Sequence, residues 1–130
     1  MKRLLFVFTL IVLTANLASA QEKEAIFVVD GDSIHDFGTI KEADGPVTHI
    51  FTIKNAGQKP LVITNVNPSC GCTTPDWTKE PIAPGKKGEI KITYDPTGRP
   101  APFTKTISVY SNGKTGTYIL SIKGVVEPKT

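Results

Sequence analysis

Along Glu89-Ile90-Lys91-Ile92-Thr93-Tyr94 apolar and polar residues alternate strictly, which puts Ile90, Ile92 and Tyr94 on one face of an extended segment and leaves the other face polar. Val47–Asn55 places Val47, Phe51 and Ile53 together in the same way. Residues 103–111 carry Phe103, Ile107 and Val109 on one side, and Thr117–Glu127 carries Tyr118, Leu120, Ile122 and Val126, with Gly124 expected at a bend or bulge. Residues 25–29, 33–37 and 61–66 bring the expectation to about seven strands. Turn residues punctuate these runs: Asp30-Gly31, Asp44-Gly45-Pro46, Asn55-Ala56-Gly57, Pro84-Gly85, Pro96-Thr97-Gly98 and Asn112-Gly113, the last marking a hairpin. After residue 20 no stretch shows helical periodicity. The pattern predicts an all-β chain, an immunoglobulin-like antiparallel β-sandwich. The longest stretch without an expected strand, residues 67–87, holds both cysteines, the single tryptophan and four of the ten prolines. Long ordered loops of this kind are where function concentrates.

The first twenty residues follow another rule. Lys2 and Arg3 precede an apolar run over residues 4–13, broken only by Thr9, and Ala18-Ser19-Ala20 supplies the small residues a signal peptidase requires. This predicts an export signal over residues 1–20, cut before Gln21, and one sandwich domain over residues 21–130. The apolar run falls short of the roughly 20 residues a membrane span needs. A bacterial lipoprotein would need a cysteine where Gln21 stands. The expected product is soluble, periplasmic or secreted, with no membrane span once the signal is removed.

Lys2 and Arg3 are two of fifteen basic side chains set against twelve acidic ones, so the whole chain's +3 falls to about +1 for the domain alone. Nucleic acid is not an expected partner, because its affinity comes from clustered Lys and Arg and no such stripe exists here. Catalytic signatures are missing too. There is no His-Glu-x-x-His and no Gly-x-Ser-x-Gly, and Gly85-Lys86-Lys87-Gly88 lacks the ending of a phosphate loop. The expectation is a protein that is not an enzyme, with no catalytic residues, no cofactor and no resident metal.

Cys70 and Cys72, in Ser69-Cys70-Gly71-Cys72-Thr73-Thr74, carry the one unusual chemistry. Four readings stand open: a disulfide closed across Gly71, whose missing Cβ favours a sharp bend; a redox or thiol-exchange pair; a soft-metal site completed by His35 and His49; or two small thiols packed at the sandwich rim. The disulfide leads, since the chain is expected to be exported. Structural zinc sites prefer wider cysteine spacing. A three-residue loop makes a weak staple, about 1.6 kcal/mol by chain entropy, so stability alone explains the pair poorly. His35 is expected to face solvent beside Asp36, and His49 to be a partly buried strand residue. Trp77, in Pro75-Asp76-Trp77, is either a partner-binding anchor on a loop or a lid over the open end of the core, the second being favoured.

The order of these segments resembles a known family. His35-Asp36-Phe37-Gly38-Thr39-Ile40, His49 through Gly57, Pro60-Leu61-Val62-Ile63, Pro68 through Thr73, Pro81-Ile82-Ala83-Pro84-Gly85 and Ile92 through Pro96 look like the bacterial family of exported immunoglobulin-like domains of unknown function with a Cys-Gly-Cys-Thr signature. That family is similar in turn to hydin-like and major-sperm-protein-like sandwiches. The resemblance runs from about Ile34 to Val126 and implies a fold but no assigned activity. A non-catalytic binding or scaffold module of the cell envelope, with an unidentified protein partner met at a sheet edge or through Trp77, is the first expectation. A thiol-based redox or metal-handling protein acting through Cys70 and Cys72 is the alternative.

Overall fold

The computed structural model describes residues 23–129, so the export signal expected over residues 1–20 lies outside the described residues. Among the described residues eight strands form: β1 (Phe27–Val29), β2 (Ile34–Lys41), β3 (Val47–Asn55), β4 (Ile63–Pro68), β5 (Thr73–Trp77), β6 (Lys87–Tyr94), β7 (Pro102–Ser111) and β8 (Thr117–Glu127). A 3-10 turn, Glu42–Asp44, leads from β2 toward β3. Among the described residues no helix is long and apolar enough to cross a membrane.

Two four-stranded sheets, β1-β3-β6-β5 and β2-β8-β7-β4, pack face to face. This is the immunoglobulin-like strand order with its first strand divided between the sheets. β1 runs antiparallel to β3, pairing Phe27 with Asn55 and Val29 with Ile53, and the chain then crosses to the opposite sheet, where β2 lies parallel to β8. The second sheet is therefore mixed, where alternation alone had suggested antiparallel pairing throughout. The reason is that the run from β1 to β2 changes sheet without reversing, which brings His35 of β2 against His49 of β3 across the sandwich.

The core is the set of alternating positions read from the sequence. Ile53, Ile90, Ile92, Ile107, Leu120 and Ile122 are fully buried, and the Tyr94 ring stacks on Phe103 with centroids 4.0 Å apart. Burying side chains of this size contributes about 1.5–3 kcal/mol each. The expected irregularity at Gly124 is present, but the extra residue sits on β2. Register slips between Asp36 and Thr39, opposite Gly124, where a Cβ would lie 2.8 Å from the Gly38 carbonyl oxygen. The β7–β8 hairpin also forms, over five residues rather than a two-residue turn, because Ser111 N–H bonds the Gly116 carbonyl at 2.9 Å. Asn112 is drawn away to cap the neighbouring loop, accepting from Val62 N–H and donating to the Pro60 carbonyl.

The eighth strand, β5, lies inside the stretch expected to be loop. It pairs antiparallel with β6, Thr73 opposite Tyr94 and Trp77 opposite Ile90. Pro75 hides it from a strand search, since a proline cannot donate to a ladder. The strand tolerates it because β5 is an edge: Asp95 N–H bonds the Cys72 carbonyl and Thr78 N–H bonds the Glu89 carbonyl, so even-numbered residues face β6 and the proline nitrogen faces outward.

Candidate functional site

Cys70 and Cys72 are joined as a disulfide, S–S 2.03 Å and Cα–Cα 5.1 Å. The bridge closes the bend where the chain leaves β4 in one sheet and enters β5 in the other. Thr73 N–H completes that turn by donating to the Cys70 carbonyl at 3.1 Å, and Cys72 N–H donates to the Cys70 Sγ at 3.1 Å. Cys72 is buried, 5 % exposed, while Cys70 is half-buried. One expectation needs correcting. Gly71 has no atom within 4 Å of where a Cβ would sit, and its φ lies outside the left-handed region, so the bend does not depend on glycine.

The histidines do not gather around the sulfurs. His35 and His49 stack on each other instead, and among the described residues no group of three or more His, Cys, Asp or Glu is placed to hold a metal. Trp77 is not on a loop but at the end of β5, half-buried against the core, its ring covered by Lys79 with Nζ 2.9 Å from the ring centroid. That is the geometry of a rim residue closing the space between sheets, with a cation–π cover.

The feature that alternation concealed lies on the opposite side of the sandwich. β1 pairs only with the last three residues of β3. Asp30 N–H bonds the Thr52 carbonyl and Ala56 N–H bonds the Ile26 carbonyl, whereas Asn55 N–H bonds the Lys86 carbonyl; even-numbered β3 residues therefore face β1, and odd ones face β6. Beyond Asp30 the line of β1 stops, so the backbone N–H and C=O of Thr48 and Ile50 point to an edge that no strand occupies among the described residues. β2 is the edge of the other sheet. Because Ser121 N–H bonds the Ser33 carbonyl, residues 33 and 35 face β8, and the backbone groups of Ile34 and Asp36 face out.

Between these two open edges lies a cleft of about 260 Å³, lined by Val29, Asp32, Ile34, His35, His49 and Ile50 among others. Its floor is the histidine stack, ring centroids 3.6 Å apart and planes 6° from parallel. Phe37 meets His35 edge-on, and Phe51 meets His49 likewise, each at 4.6 Å. His35 is thus half-buried rather than solvent-facing, because it shares the inward parity of Phe37 on β2. Burial, and then the neighbouring His35, hold His49 below the ordinary imidazole value. At the lip, Ile34 is 54 % and Ile50 46 % exposed, while Asp30 is tied to Lys87 at 2.7 Å and lowered in pKa by that contact. The signals were in the sequence: His49 has the parity of Val47, Phe51 and Ile53, and His35 that of Phe37.

Residues 29–126 match the family described as proteins of unknown function, DUF1573. No curated protein matches the chain. Among solved structures, a protein of unknown function from Porphyromonas gingivalis W83 is similar over 79 % of this chain, at 19 % identity and a TM-score of 0.67. The chain spans 47 % of the length of that relative. A PapD-like domain of human CEP192 matches over 82 % of this chain and 89 % of its own, at 11 % identity and a TM-score of 0.61. The YadV chaperone matches over 80 % of this chain and 52 % of its own, at 16 % identity and a TM-score of 0.51. At these identities the likeness is one of fold.

Proposed function

Because the chain belongs to the DUF1573 family of proteins of unknown function, its activity has to be read from its own surface, and we propose a non-catalytic binding module of the cell envelope. It takes up an extended segment of a partner protein by strand addition at the edges of β3 and β2. One observation carries this reading: Thr48 and Ile50 present unpaired backbone groups beside a second open edge, with exposed Ile34 and Ile50 at the lip. Natural sheets protect such edges with charges, prolines or covering loops, because an unpaired edge recruits a strand. Here Ile34 and Ile50 stand exposed along the two edges, and the nearby charges, Asp30 and Asp32, sit at the β1–β2 turn. Strand addition draws affinity from main-chain hydrogen bonds and selectivity from alternate side-chain pockets, and the cleft over the histidines supplies such a pocket. The occupant is accordingly an extended, apolar-alternating segment.

The placement in the envelope rests on the export signal read in residues 1–20, which puts the module in the periplasm or outside the cell. The fold shared with a chaperone is compatible with a binding role and goes no further.

Ile50→Pro tests the reading with little cost to the fold, since it removes an N–H that faces the open edge and not one in the β6 ladder. In pull-downs from envelope extracts, the wild type and Trp77→Ala retain a common partner and Ile50→Pro loses it. A partner retained equally by all three contradicts the edge.

A second reading, thiol exchange at the Cys70–Cys72 bridge, is favoured by the partial exposure of Cys70 beside buried Cys72 and by the small loop the bond closes. A bridge that resists physiological reductants in the native exported protein eliminates it.

A further inference from the structure

We infer that the His35–His49 stack is a pH-operated latch, holding the β2 and β3 edges together while at least one imidazole is neutral and letting them part when both are charged. Its consequence for a partner, held at neutral pH and released in acid, rests on reading these edges as the docking site. The latch itself is a property of the free protein.

The two rings come from different sheets and lie face to face at 3.6 Å. With Phe37 and Phe51 braced against them, four rings fill the gap between the sheets on the side where β1 has ended. Two neutral rings can pack in this arrangement without charge repulsion, and a neutral ring attracts a charged one laid over its face. Two cations at the same separation repel, the more so in a half-buried position where water screens them poorly.

The surroundings offer little to offset a second charge. From the β1–β2 turn, Asp30 and Asp32 line the same cleft, but the Asp30 carboxylate is engaged by Lys87 at 2.7 Å, which leaves Asp32 alone. Asp36 belongs to the outer face of β2, where it accepts from Gly38 N–H and stands in register with Lys123. Beside the rings, the residues in register are Ile122 on β8 and Ile92 on β6, both uncharged. The lowered pKa of His49 runs in the direction the geometry requires. The element able to yield is β2, an edge strand held only by β8 and interrupted by its own bulge.

Backbone hydrogen exchange of the isotope-labelled free protein, expressed as protection factors at about pH 7.5 and about pH 4.5, reads the latch directly. The expected result is a loss of about tenfold or more in acid at the His35 amide, which faces β8, with Ile107 and Leu120 unchanged. His35→Phe keeps an aromatic ring in the stack and removes one of the two protons, so its β2 amides stay protected in acid. An unchanged wild type, or an equal loss in His35→Phe, overturns the latch. No partner is needed for this measurement, so the docking reading stands or falls separately on its edge variants.

Discussion

The side chain of Asn55 donates from Nδ2 to the Ile82 carbonyl oxygen at 2.9 Å, across 27 residues of sequence and with the whole side chain buried. The same Nδ2 reaches the Lys59 carbonyl, and Oδ1 accepts from Ile26 and Gly57 N–H. One amide thus ties β1, the β3–β4 loop and the approach to β6. Asn55→Leu removes all four bonds from a fully buried position; the Ile82 carbonyl keeps Leu61 N–H, whereas Ile26 N–H, Gly57 N–H and the Lys59 carbonyl lose their Asn55 partner, at about 1–3 kcal/mol for each that water cannot reach. Urea unfolding is expected to show a loss of about 3 kcal/mol. A change below about 0.5 kcal/mol, the size of an ordinary surface substitution, contradicts this account of the residue.

Two glycines separate requirement from tolerance. A Cβ at Gly57 would run into the Glu24 carbonyl oxygen and lie 2.7 Å from the Ile26 amide nitrogen, both backbone, so Gly57→Ala must displace the segment entering β1. It is expected to cost about 1–3 kcal/mol, as overpacking does. Gly71→Ala has open space and an ordinary φ, and is expected to stay within about 0.5 kcal/mol of wild type. Paired thermal melts check the contrast, and equal losses contradict it.

The Cys70–Cys72 bridge closes so small a loop that reducing it removes only about 1.6 kcal/mol by chain entropy. The reduced protein therefore remains folded, held by the isoleucine core. Circular dichroism with and without a strong reductant measures this, and cooperative unfolding on reduction alone would contradict it.

For His49, burial and the His35 neighbour place the folded pKa below the ordinary 6.5. Between the folded and unfolded values the unfolded chain binds more protons, so stability rises with pH in that window. The contribution is fully present above about 6.5 and is lost as pH falls through the folded value. Unfolding free energy measured across this range slopes downward into acid for wild type, and the slope flattens in His49→Phe. Identical slopes contradict the assignment.

How far the sequence carries depends on which force sets each feature. Strict alternation makes Ile90, Ile92 and Tyr94, or Ile107 and Val109, inward-facing wherever the strands pair, so the core and seven strands were legible. The β5 strand was not, because Pro75 and Asp76 lower local strand propensity and only the neighbouring β6 edge rescues them. The parallel β2–β8 pairing was hidden for a different reason. Direction is set by how the chain crosses between sheets at residues 30–33, and alternation carries no sign. The histidine stack joins strands of different sheets, so parity alone aimed each ring inward without showing that they meet. The unpaired edge at Thr48 and Ile50 depends on where β1 stops, and no residue type marks that point.

An extended partner segment that pairs with the β3 edge is captured by crosslinking from that edge in the cell. A photoreactive side chain replaces Ile50, or alternatively Ile119, which is 50 % exposed on the opposite sheet. The account predicts a discrete adduct from position 50 that disappears when Thr48→Pro is added, and no such adduct from position 119. Adducts of equal yield from both positions, or one from position 50 that survives Thr48→Pro, would contradict it.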